Sequence, residues 1–101
     1  MLKQPETLVP TSKIQRSTNV LLTELDGEIV VMHLSSGKII GMADTGRRVW
    51  DALEAPISLN DLTDQLIIEY SVDRETCFSE THGFVASLLA ANFVVLTGPE
   101  G

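Results

Sequence analysis

The chain of 101 residues predicts an α+β domain, with three short strands first and three helices after them. Three observations carry that expectation. Two turn signals, Asp26-Gly27 and Ser35-Ser36-Gly37, divide residues 20–42 into three strand-like runs. From about residue 44 onward, apolar residues recur at helical spacing instead. Hydrophobic residues make up 44% of the chain, enough for one core and too many for disorder.

The elements follow in order. Residues 1–12 hold two prolines and no steady period, so they read as a flexible N-terminal arm. Leu8, Val9 and Ile14 are the residues through which part of this region could pack on the sheet. The domain proper is expected over 13–97, and 98–101 is a frayed tail. Val20 to Glu24 suits a first strand. Asp26-Gly27 supplies the positive φ that a tight hairpin needs. Ile29 to Leu34 is the second strand, with Val30, Met32 and Leu34 on one face and Ile29, Val31 and His33 on the other. Lys38 to Met42 is the third strand. The result is a three-stranded antiparallel meander with the first and third strands at its edges.

Asp44 or Thr45 is the expected cap of the first helix, with Val49, Trp50 and Leu53 turned inward and Pro56 ending it. Ser58 and Asp61 have capping-box spacing at the start of the second helix. Its apolar stripe is Leu59, Leu62, Leu66, Ile67 and Tyr70. The third helix begins at Asp73 and carries Phe78, Thr81, Phe84, Val85, Leu88 and Leu89. Asn92 suits a left-handed stop, after which Phe93 to Leu96 folds back onto the core. Strands and helices in this order are winged-helix-like, with the wing placed first.

Composition excludes several function classes. The net charge is −7, from 14 acidic and 7 basic residues, so there is no counterion-displacing grip on nucleic acid and no attraction to an anionic membrane. The single cysteine, Cys77, permits no intrachain disulfide and no cysteine-rich zinc site. No signal peptide and no run long enough to span a membrane is read, so the cytoplasm is the expected location.

Few residues carry chemistry. His33, His82 and Cys77 are read as ordinary histidines and a core thiol, because Cys77 and His82 share no helix face and His33 is on a strand. Neither a metal nor a cofactor is expected. No phosphate loop, nucleophile elbow or metal-binding helix motif is present. Asp51 and Glu54 read as a solvated face. Arg47 and Arg48 could sit on phosphate in a DNA-binding regulator, but the net charge favours a surface charge pair. Lys38 fits two roles equally, contact with an acidic peptide or protection of an open edge. Gly41 within a strand marks either a bulge leading into the first helix or room for a guest strand.

The third strand is followed too closely by a helix to be covered by another strand. Its edge should therefore be open, and an open edge accepts a peptide as an added strand. If the flank of the third helix formed by Phe78, His82, Val85 and Leu89 faces that strand, the two enclose an apolar groove. Cys77, Thr81, Phe84 and Leu88 would then point inward. Proline at Ile40 would test the edge, provided that amide faces the guest. The expectation is a binding module and not an enzyme, with a homodimer through an edge strand as a further expectation.

The run DGEIVVMHLSSGKIIGMADTGRRVWDAL resembles the family of pyrroloquinoline-quinone biosynthesis protein D (PqqD), a precursor-peptide recognition element. That family often shows leucine, glycine, leucine, glycine and an Ile/Val-Trp pair in this order. Leu34, Gly37, Met42, Gly46, Val49 and Trp50 fill similar places. The stretch PISLNDLTDQLIIEYSVDRETC is similar to the stand-alone leader-binding proteins of split lasso-peptide pathways, and the resemblance spans Ile14 to Leu96. It implies a small winged-helix domain that binds the leader of a ribosomally made precursor as an antiparallel strand against strand three, in a cleft with helix three. It implies contacts at Lys38, Ile39, Ile40, Gly41 and Met42, and at Phe78, His82, Val85 and Leu89. It also implies a processing partner. In lasso pathways this is a cysteine-protease-like leader peptidase, followed by an ATP-dependent cyclase; in the alternative, cofactor biosynthesis, it is a radical enzyme. The chain departs from many relatives by carrying Ile39 and Ile40 where they have aromatic residues, and Met42 where they have leucine.

Overall fold

The computed structural model describes residues 8–97. Along the chain run β1 (Lys13–Arg16), β2 (Val20–Leu25), β3 (Glu28–His33), β4 (Ile39–Met42), α1 (Asp44–Ala52), β5 (Ile57–Ser58), α2 (Leu59–Tyr70), α3 (Arg74–Ala90) and β6 (Val94–Leu96). The expected meander is the sheet ordered β2-β3-β4, so strand three is β4. Antiparallel strands and three helices give the expected α+β architecture.

A second, small antiparallel sheet, ordered β5-β1-β6, was not expected. Ile14 is its centre. This residue pairs with Ile57 on one side and Leu96 on the other, and it is wholly buried. Lys13–Arg16 shows no apolar alternation, and β5 is two residues long. Nothing local therefore marks them as strands. Pairing across most of the chain length holds them in place, and the apolar tail after Asn92 joins as β6.

Both turn signals are used. Asp26 and Gly27 have φ of 51° and 84°, which lets β2 and β3 close into a tight hairpin. Gly37, at φ 77°, ends the loop between β3 and β4 and donates its amide to the His33 carbonyl. Ile29, Val31 and His33 form the buried face of β3.

The helices bury Val49, Trp50, Leu53, Leu59, Leu62 and Leu66 against the sheets. Ser58 caps α2 by accepting the Asp61 amide at 3.1 Å, and Asp73 caps α3 by accepting the Thr76 amide at 2.9 Å. At the end of α3, Asn92 takes φ 68°, Phe93 N–H bonds Leu88 C=O, and Asn92 N–H bonds Leu89 C=O. These two bonds make the glycine-like stop that the sequence anticipates.

The cap of α1 differs from expectation. Ala43 occupies the cap position and contributes no side-chain bond, while Asp44 is the first helical residue, at φ 55°. One residue joins β4 to α1, and this sharp join leaves neither Asp44 nor Thr45 in the extended conformation that a capping side chain needs. Tyr70, expected on the apolar stripe of α2, is 43% exposed at the end of that helix.

Leu8, within the expected arm, is buried, and the Asn60 amide donates to the Pro10 carbonyl at 3.1 Å. Residues 8–12 are thus anchored, whereas 1–7 and the expected tail 98–101 lie outside the described residues.

Candidate functional site

The backbone of β4 is the first component of the site. Among the described residues β4 pairs with β3 alone, in the register Met32↔Ile39, Val31↔Ile40, Val30↔Gly41 and Ile29↔Met42. The His33 amide donates to the Lys38 carbonyl at 2.8 Å. Hydrogen-bonded and non-hydrogen-bonded pairs alternate in an antiparallel ladder. The Lys38 carbonyl and the backbone groups of Ile40 and Met42 therefore point at β3, while Ile39 and Gly41 aim theirs away from the sheet. The other side of β3 agrees: the Leu34 amide donates to Asn19 C=O at 2.9 Å, which puts Met32 and Val30 in bonded pairs with β2. The free edge thus offers one N–H and one C=O at Ile39 and again at Gly41. The Ile40 amide, named above as the test position, is not on that edge.

No bulge occurs at Gly41, because the register passes through it unbroken. A Cβ there would lie 3.3 Å from a Glu28 carboxylate oxygen, on the outward face.

The second component is a cavity of about 450 Å³ beside the end of β4. Thr45, Gly46 and Val49 of α1 form one wall, and Cys77, Thr81 and Phe84 of α3 form another. Leu66 and Tyr70 of α2 close the back. A Cβ on Gly46 would sit 3.4 Å from the Phe84 ring and 3.9 Å from Met42 Cβ, so α1, α3 and β4 meet at this glycine.

The structure brings some expected residues together and separates others. Met42 is buried with its side chain toward α1 and Phe84, Ile40 is half-buried on the same face of the sheet, and Ile39 is 64% exposed on the other. Lys38 is exposed, and its amide donates to Ser36 Oγ at 3.2 Å. On α3, Val85 is wholly buried in the core. The Nε2–H of His82 donates to the Leu8 carbonyl at 3.2 Å, and the Phe78 ring lies 6.1 Å from the His82 ring. Phe78 and His82 therefore belong to the flank of α3 that meets the N-terminal segment. Leu89 is half-buried and does not line the cavity. Phe84, expected inward, stands beside Gly46 and Met42 at the cavity, and Val85, expected on the flank, is in the core, so sequence reasoning exchanged these two. The signal for Phe84 was the glycine at 46, which leaves room for a ring.

Several of the remaining polar residues are engaged in structure. Arg47 Nη1 donates to Gly27 C=O and to the Glu24 carboxylate, and the hydrogen bond to Glu24 raises its pKa. Arg48 pairs with Glu69 at 2.8 Å. Neither arginine is left free for phosphate. Arg16 stacks over Trp50 at 5.1 Å. His33 Nδ1 accepts the Ser36 amide, Cys77 Sγ lies 4.0 Å from Thr81 Oγ1, and His82 bonds Leu8, so these three residues occupy separate places. Among the described residues no group of His, Cys, Asp and Glu could hold a metal ion, and no helix is long and apolar enough to cross a membrane.

Among the described residues, an antiparallel sheet whose β4 edge is unpaired, set beside an apolar cavity between helices, has the form of a small recognition domain. Residues 28–94 match the family described as coenzyme PQQ synthesis protein D (PqqD). That match covers more than half of the chain, and the chain belongs to this family. Among solved structures it is similar to TbiB1 in complex with the TbiA(beta) leader peptide, with 30% identity and a TM-score of 0.72, over 86% of this chain and 99% of that one. It shares its fold with lasso peptide synthetase B1 complexed with the leader peptide, at 21% identity and a TM-score of 0.71, over 81% and 96% of the two chains. No curated protein matches.

Proposed function

We propose that this protein is a non-catalytic adaptor that binds the leader segment of a ribosomally made precursor peptide and hands it to a processing enzyme. The bare edge of β4 carries the reading. Ile39 and Gly41 present two N–H and two C=O groups in the spacing of a strand, and an antiparallel guest satisfies all four. Each such bond contributes about 1 kcal/mol net, so the edge alone gives weak binding. Burial of guest side chains against Ile40, Met42 and Phe84, and in the cavity beyond them, supplies the remainder and the choice of sequence. The solved neighbours, both bound to leader peptides, support this reading.

The likeness to TbiB1 bound to a leader peptide and to lasso peptide synthetase B1 supports a lasso-peptide pathway, in which the partner implied by the family resemblance is a leader peptidase. The family description, coenzyme PQQ synthesis, supports the alternative, a cofactor pathway, in which the partner implied by the resemblance is a radical enzyme. Fluorescence anisotropy with labelled leader peptides from neighbouring genes tests the proposal. Saturable binding to one leader, lost when that leader's strand segment is scrambled, supports it. No saturable binding to any of them, with the processing enzyme present, contradicts it.

A further inference from the structure

The inner face of the β2-β3-β4 sheet is turned toward the helices; among the described residues, Leu21, Leu25 and Ile39 on its outer face are exposed. The register places Leu21, Met32 and Ile39 in one cross-strand row on that outer face. Leu34 follows Met32 on the same side of the chain. Leu21, Leu34 and Ile39 are 55%, 53% and 64% exposed. Isolated exposed leucines are ordinary, but neighbours on one face mark an interaction surface. The acidic residues lie elsewhere, since Glu24, Asp26 and Glu28 gather at the opposite end of the sheet, and Lys38 is the charge at this end.

We propose that this outer face, at its Leu34–Gly37 end, is where the precursor-processing enzyme docks. The proposal rests on the leader-binding function above. Two observations select this occupant. The first is direction. An antiparallel guest on β4 runs from the Met42 end to the Ile39 end, so its C-terminal continuation, the part still to be processed, leaves past Lys38 beside Leu34. The second is continuity. The Ile39 backbone faces the guest while its side chain sits in the apolar row, so an enzyme on this face also meets the emerging peptide. A second copy is the poorer occupant, because each copy carries a net charge of −7 and repels its twin.

The test uses Leu21→Glu and Leu34→Glu, with Ile68→Glu on α2, at an 82% exposed position, as control. Affinity for a fluorescein-labelled synthetic leader and cleavage of the full precursor by the co-encoded peptidase are measured for each. The expected result is leader affinity within about twofold of wild type for all three. Cleavage falls about tenfold or more for the two sheet variants alone and recovers at higher adaptor concentration. Unchanged cleavage in Leu21→Glu and Leu34→Glu overturns the docking surface. A wild-type dimer that these variants convert to monomer also overturns it, in favour of self-association. Wild type that binds no leader shows instead that the functional reading has failed, before any variant is examined.

Discussion

The amide of His33 donates to the carbonyl of Lys38 at 2.8 Å, and this bond sets the phase of every backbone group on β4. It turns Ile40 toward β3 and leaves Ile39 and Gly41 for a guest. Proline scanning should read that phase directly. Ile39→Pro removes a guest-facing donor and spares the β3–β4 ladder, so leader affinity should fall by about threefold to tenfold, with little change in melting temperature. Ile40→Pro removes a ladder bond and should lower the melting temperature. Calorimetric titration and a thermal melt of each variant check this; equal binding loss with equal destabilisation would contradict the phase.

The two flanks of α3 should separate by mutation. Phe84 stands beside Met42 and Gly46, so Phe84→Ala should weaken leader binding by about tenfold or more. His82 faces Leu8, and His82→Ala should change affinity by less than about twofold. Leader titrations of both variants decide the matter. The reverse order of effects would return the groove to the flank of Phe78 and His82.

Much of this fold is legible in the sequence because its signals are local. Asp26-Gly27 names its hairpin, Ser58 and Asp61 name the start of α2, and Val49, Trp50 and Leu53 mark the buried side of α1. The sheet of β1, β5 and β6 is not legible. Ile14 finds its partners at Ile57 and Leu96, and no short window contains that pairing. The site is legible only in part. An open edge follows from the closeness of β4 and α1, but its phase depends on one bond across the Leu34–Gly37 loop. The α3 stripe is wide enough that periodicity left Phe84 and Val85 interchangeable. Packing sends Val85 into the core and Phe84 to the cavity.

Ser58 is buried and caps the helix that forms the back of the cavity. Ser58→Ala should cost about 1 kcal/mol, a fall of about 4–8 °C in melting temperature for a domain of this size. Differential scanning calorimetry measures it, and a Ser58→Asp variant should recover most of the loss.

Asp73 caps α3 through the Thr76 amide, and this hydrogen bond holds its carboxyl below its ordinary pKa. A depressed folded-state pKa stabilises the protein above the unfolded value and is lost as pH falls through the folded one. The Asp73 contribution should therefore be constant above about pH 5 and be lost progressively as pH falls below about 4, through the lowered folded-state pKa. Asp73→Asn keeps a capping oxygen but not the titration, so its stability should depend less on acid than that of wild type. Denaturant midpoints from pH 3 to pH 7, as an approximate working range, give the comparison; parallel curves for the two proteins would show that Asp73 plays no part.

Residue-resolved hydrogen exchange, with and without saturating leader peptide, tests strand addition most directly. In the free protein the Ile40 and Met42 amides should be protected by β3, while those of Ile39 and Gly41 exchange fast. On binding, Ile39 and Gly41 should become protected and their neighbours should change little. Ile39 and Gly41 amides that still exchange fast in the saturated complex would contradict the account, because the leader would then be held somewhere other than the edge of β4.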